Sequence, residues 1–90
     1  MLALDELSEC IPSQHNPEWE LEARELAQAI DHFVGELQPT ERDIFVSRYW
    51  FLASIKEISS RFHFSESKTK SMLLRTRAKM KTYLLEEGLL

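Results

Sequence analysis

The sequence predicts an all-α fold, a four-helix domain that contains a helix-turn-helix and closes with a long helix. Two observations carry that prediction. Only two glycines (Gly35, Gly88) and three prolines (Pro12, Pro17, Pro39) occur in 90 residues, too few turn-formers for a sandwich or barrel of many short strands. Apolar residues instead recur at spacings of three and four, and serines stand as caps before the last two such stretches. A chain of this length buries only about 60 to 65% of its unfolded surface, which leaves nothing for a second core. Its 43% apolar fraction, with two Trp, two Tyr and five Phe, suffices for one.

Residues 1–15 contain apolar side chains without sustained helical spacing, three acids and Pro12. They are expected to form an acidic linker or tail outside the core. The folded domain is expected over residues 16–90. Asn16 and Pro17 read as an N-cap followed by proline at the first helical position, with Glu18 and Glu20 near the positive end of the helix dipole. Ala23, Leu26, Ile30, Phe33 and Leu37 then form one stripe, on a helix that should end near Leu37 before Gln38-Pro39.

Thr40, with Asp43 three residues later, is the expected cap of the second helix, whose buried side is Ile44, Phe45 and Tyr49. Ser54-Ile55-Lys56-Glu57 is a capping box that opens a third helix to about Phe62. Ser65 caps a fourth, which meets no proline or glycine before Gly88 and can run from Glu66 to about Glu87, roughly 33 Å at 1.5 Å per residue. The expected core is Leu26, Ile30, Phe33, Ile44, Phe45, Ile58, Phe62, Leu73 and Met80.

The net charge of -4 conceals an asymmetry. Up to Asp43, eleven acids face Arg24 and Arg42, a charge of -9; from Ile44 onward nine cations face four glutamates, a charge of +5. Such a chain suits a protein that meets a nucleic acid through one end and a protein through the other. The alternative is that the two ends attract each other within one fold. No apolar run approaches a membrane span and the start lacks the basic residues of a signal peptide, so a cytoplasmic location is expected. The lone Cys10 makes neither an internal disulfide nor a metal knuckle.

Residues 55–74 have the pattern of a helix-turn-helix: short helix, three-residue turn, longer helix. Ile58, Phe62, Phe64 and Met72 fall where the two helices need apolar contacts, and Ser59 is small where they approach. Thr69 stands where an aliphatic is expected, and His63 stands where the turn needs a positive φ. Turning the fourth helix by about 100° per residue separates two faces. Thr69, Leu73, Thr76, Met80 and Leu84, bordered by Met72 and Tyr83, form the core side. Ser67, Ser71, Leu74 and Ala78, flanked by Lys70, Arg75, Lys81 and Arg77, form the other. Cations at the rim reach phosphates or guanine, hydroxyls reach base edges, and Leu74 suits a thymine methyl. A solvated basic face is the plainer alternative.

Leu37-Gln38-Pro39-Thr40-Glu41-Arg42-Asp43-Ile44-Phe45, Arg48-Tyr49, Ser54-Ile55-Lys56-Glu57-Ile58 and the run Ser65-Glu66-Ser67-Lys68-Thr69-Lys70-Ser71-Met72-Leu73-Leu74-Arg75-Thr76-Arg77 carry a family likeness. Over about Glu22 to Leu85 the chain resembles region 4 of the sigma-70-family RNA polymerase sigma factors, especially the extracytoplasmic-function type. LuxR-type regulators share the helix-turn-helix half, but Arg75-Thr76-Arg77 after Lys70-Ser71 favours the sigma group.

The resemblance implies promoter minus-35 recognition by the fourth helix, as the recognition helix, in support of transcription initiation, and docking of another surface on the β flap of RNA polymerase. It assigns Lys70, Ser71, Leu74 and Arg75 to base and phosphate contacts, and Arg48 and Arg77 to phosphates; Ser67 joins them from the face pattern. Met72 replaces a frequent arginine, Thr76 an alanine and Thr69 a valine. Residues 1–15 are similar to the linker between regions 2 and 4. With no region 2 in these 90 residues, an excised domain or a partial sigma factor is expected.

Catalysis is not expected, because His15, His32 and His63 are scattered and no metal or cofactor spacing appears. A different reading is a protein-interaction module. In it Trp19, Trp50, Phe51 and Leu52 meet the polymerase or an anti-sigma factor. The expectation here is that Trp50 and Leu52 are core and only Phe51 is partly exposed.

Overall fold

The computed structural model describes residues 6–10 and 19–90, with the side chains of residues 9 and 19–22 set aside. A 3-10 turn at Ser8–Cys10 precedes four helices: α1 (Trp19–Gly35), α2 (Pro39–Tyr49), α3 (Ile55–Phe62) and α4 (Glu66–Glu86). The described residues contain no strand. The all-α architecture and its helix-turn-helix, α3 to α4, are as the sequence predicts. The expected Asn16-Pro17 cap lies outside the described residues.

Two helix ends differ from expectation. Helix α1 stops at Gly35 rather than near Leu37, and the Leu37 amide closes a tighter turn on the Val34 carbonyl at 3.2 Å. At α2, Thr40 is not the cap. Gln38 takes the N-cap position without a side-chain bond, and Pro39 is the first helical residue. Proline has a helical φ already and no N–H to satisfy, so the helix starts one residue early and encloses Thr40.

The caps of the helix-turn-helix are made as the sequence implies. The Ser54 hydroxyl accepts from the Glu57 amide at 3.0 Å, and the Ser54 amide donates to Glu57 Oε1 at 3.3 Å. His63 ends α3 in the left-handed region, φ 59° and ψ 38°. The Ser65 hydroxyl accepts from the Lys68 amide at 3.0 Å and starts α4. With both ends of the turn fixed, the direction of α4 against α3 is fixed too.

The core lies where α4 crosses the other three helices. Leu26, Phe33, Ile44, Phe45, Ile58, Leu73 and Met80 are buried as expected, joined by Leu84. Ile30 and Phe62 are only partly buried and pack at the margin. Phe62 stacks on Phe64, with ring centroids 6.4 Å apart.

Two further expectations are corrected. Trp50 and Leu52 are not core: Trp50, Phe51 and Leu52 are 49%, 77% and 62% exposed. After α2 the chain passes through Leu52 at φ 55°, and Ala53 then turns inward, its amide bonded to the Ser47 carbonyl at 2.9 Å. The acidic start does not lie wholly outside the core either. Cys10 is buried, Leu7 packs against the core, and Glu6 reaches α2. The Cys10 thiol donates to the Arg77 carbonyl at 3.6 Å, which ties this segment to α4.

Candidate nucleic-acid interface

Two buried hydroxyls meet where α4 packs on α3. Ser59 donates to Thr69 Oγ1 at 2.9 Å, and Thr69 donates to the Ser65 carbonyl at 3.0 Å. Threonine thus fits a site where an aliphatic is expected, since its methyl packs and its hydroxyl is satisfied. Thr76, equally buried, donates to the Met72 carbonyl at 2.9 Å. These residues turn one face of α4 to the core and the opposite face to solvent.

On the solvent face, Ser67, Lys70, Ser71, Leu74 and Arg75 are all exposed, as are Ala78 and Lys81. Ser67 to Arg75 occupy the first half of the helix, the part that enters a groove in helix-turn-helix docking. Leu74 is 60% exposed at the centre of this surface. Hydroxyls and one aliphatic therefore sit between cations, an arrangement able to contact base edges and phosphates together.

The structure does not bring Arg48 and Arg77 onto that open face. Arg48 is buried at the end of α2, where Nε and Nη2 donate to the two oxygens of Glu6, each at 3.1 Å, and Nη1 donates to the Ala53 carbonyl at 3.0 Å. Arg77 is partly buried. Its Nη1 donates to the Tyr49 hydroxyl at 2.7 Å and lies 3.8 Å from Glu6 Oε1. Tyr49 in turn donates to Glu6 Oε1 at 3.0 Å. Two arginines and a phenol thus surround one carboxylate. This seat adjoins a cleft of about 340 Å³ lined also by Lys70, Leu73 and Leu74, so it borders the solvent face of α4.

Electrostatics within the seat follow from these contacts. Burial pushes the Glu6 carboxyl up, but hydrogen bonds from Arg48 and Tyr49 and the charges of Arg48 and Arg77 outweigh it and hold the group below its ordinary value. Burial pushes the Tyr49 hydroxyl up to about 12, against the lowering effect of Arg77 and with help from the charge of Glu6. Both groups keep their usual neutral-pH forms, carboxylate and phenol.

Neither Glu6 nor the Tyr49 hydroxyl stands out in the sequence. Glu6 reads as one acid of a tail, and its bond to Arg48 spans 42 positions, beyond any local periodicity. The charge asymmetry is the one available signal. The ion pairs Glu6 to Arg48, Glu6 to Arg77 and Glu41 to Lys79 each join an acid of the first half to a cation of the second. Attraction between the two ends is therefore part of this fold. Trp19, placed in the interaction surface by sequence, has its side chain outside the described residues.

Among the described residues, no helix is long and apolar enough to cross a membrane. A family model described as "Sigma-70, region 4" matches residues 27–80, more than half of the chain, including all of α3 and most of α4. No curated protein and no solved structure matches.

Proposed function

The chain belongs to the sigma-70 region 4 family, and from that premise we propose that it recognises a promoter minus-35 element through the solvent face of α4. Domains of this family bind DNA in sigma-factor promoter recognition and are not enzymes. The observation that carries the finer reading is the exposure of Ser67, Lys70, Ser71, Leu74 and Arg75 together on the first half of α4. Lys70 and Arg75 take phosphates or guanine, the serines take base edges, and Leu74 meets a thymine methyl. Arg48 and Arg77, which with Glu6 line the cleft beside Lys70 and Leu74, are the further phosphate contacts at the border of that face.

The exposed Trp50, Phe51 and Leu52 favour a second contact, with the β flap of RNA polymerase. Two aromatic side chains and one aliphatic, consecutive and exposed, form a surface suited to a protein partner. An anti-sigma factor is the competing occupant.

Selection from a randomised DNA duplex library tests the reading. The protein should enrich one short shared sequence, and its affinity for that duplex should fall steeply with salt. Enrichment of no sequence, or binding indifferent to salt, would contradict it.

A further inference from the structure

The two oxygens of Glu6 accept from two nitrogens of Arg48, one of them accepts also from Tyr49, and Arg77 stands 3.8 Å away. A phosphodiester offers the same pair of acceptors to a guanidinium fork. Glu6 itself covers the seat, and Arg48 is only 8% exposed beneath it. The same cleft holds Lys70 and Leu74 of the candidate DNA face. A carboxylate thus sits where the border of a bound duplex would bring a phosphate.

We propose that Glu6 is an internal stand-in for a DNA backbone phosphate, seated on Arg48, Arg77 and Tyr49 in the free protein and displaced when a duplex docks on α4. The proposal rests on the DNA-binding reading and adds its regulation: the amino-terminal segment holds part of the phosphate-contacting charge out of reach until a stronger anion competes for it. Displacement is local. The Ser8–Cys10 turn follows directly, and the buried Cys10 remains an anchor on α4 while Glu6 swings out. A carboxylate held below its ordinary pKa is charged at neutral pH, so it competes as an anion.

The substitution Glu6→Gln keeps the shape of the side chain and a carbonyl acceptor while removing the charge. Binding of the selected duplex is compared between the wild type, Glu6→Gln and Glu41→Gln. The last removes one acid that pairs with the exposed Lys79, away from the seat. Glu6→Gln should tighten binding by at least about threefold at low salt with the salt slope little changed, because the wild type, once Glu6 is displaced, makes the same phosphate contacts. Glu41→Gln should give a smaller gain with no change of slope.

A second measurement does not depend on the variant folding. In the wild type, the Glu6 carboxyl carbon resonance should move towards its solvent-exposed position as duplex is added. Salt-dependent binding that Glu6→Gln leaves unchanged or weakens, or a Glu6 resonance unmoved by bound duplex, would overturn the stand-in and leave the DNA reading in place. Absence of duplex binding by every protein would remove both.

Discussion

Ser59 and Thr69 share a hydrogen bond of 2.9 Å across the crossing of α3 and α4, both buried. Ser59 is the donor, so Thr69→Val leaves a buried hydroxyl without its partner and should cost about 1 to 2 kcal/mol. The double variant Ser59→Ala/Thr69→Val removes both polar groups and should recover most of that loss. Urea unfolding of the two singles and the double closes the cycle; additive losses would show that the pair is not coupled.

Ile58 is fully buried between α3 and α4. Ile58→Ala removes apolar contacts from a site that cannot easily collapse and should cost about 2 to 4 kcal/mol. The partly buried Ile30 gives a comparison, and its alanine variant should cost less. A larger effect at Ile30 would mean that the core centres on α1 rather than on the helix-turn-helix.

The Glu6 seat gives stability a dependence on acid. Because the folded-state pKa is depressed, the contribution is present above the ordinary carboxyl value of 4.5 and is lost as pH falls through the lower folded value. Wild type should therefore lose more stability than Glu6→Gln between neutral pH and about pH 3. Parallel curves for the two proteins would show that Glu6 is not held by its arginines in solution.

Tyr49 acts at the other end of the scale. Its folded pKa of about 12 exceeds the ordinary value of 10.0, so its contribution is present below 10 and is lost as pH rises from there through 12. Thermal unfolding of Tyr49→Phe should lack this component, and a difference from wild type that stays constant from pH 9 to 12 would contradict the burial assigned to the hydroxyl.

Local chemistry made most of the fold legible. Ser54 with Glu57 announces one helix start because a capping box joins residues three apart, a spacing the sequence displays directly, and Ser65 announces the next as a cap-forming serine before an uninterrupted helical stretch. The two faces of α4 follow from its rotation per residue for the same reason. What the sequence did not display depends on distant or conformational facts. Trp50 and Leu52 read as core on hydropathy, and their exposure, beside a Leu52 φ of 55°, is a conformational fact that hydropathy does not carry. Arg48 shows its charge in the sequence but not its burial, which is set by Glu6 42 positions away and by the Ala53 carbonyl. The exposed half of the candidate interface was therefore readable from periodicity, and its buried, carboxylate-occupied border was not.

The base reading proposed for the first half of α4 is tested most directly by Arg75 against Lys81. Both are exposed cations on one helix, but Arg75 lies within three turns of the Ser65 cap and Lys81 nearly two turns further along. A recognition helix enters the groove by its first half, and an arginine there can bridge two acceptors of one guanine for about 1 to 3 kcal/mol of discrimination. Arg75→Ala and Lys81→Ala are each measured against the selected duplex and a panel of its single-base changes. Arg75→Ala should flatten the preference at one position of the site, while Lys81→Ala should weaken all duplexes alike and leave the preference intact. Equal, sequence-independent losses for both variants would contradict base reading by α4 and reduce its basic face to an electrostatic patch.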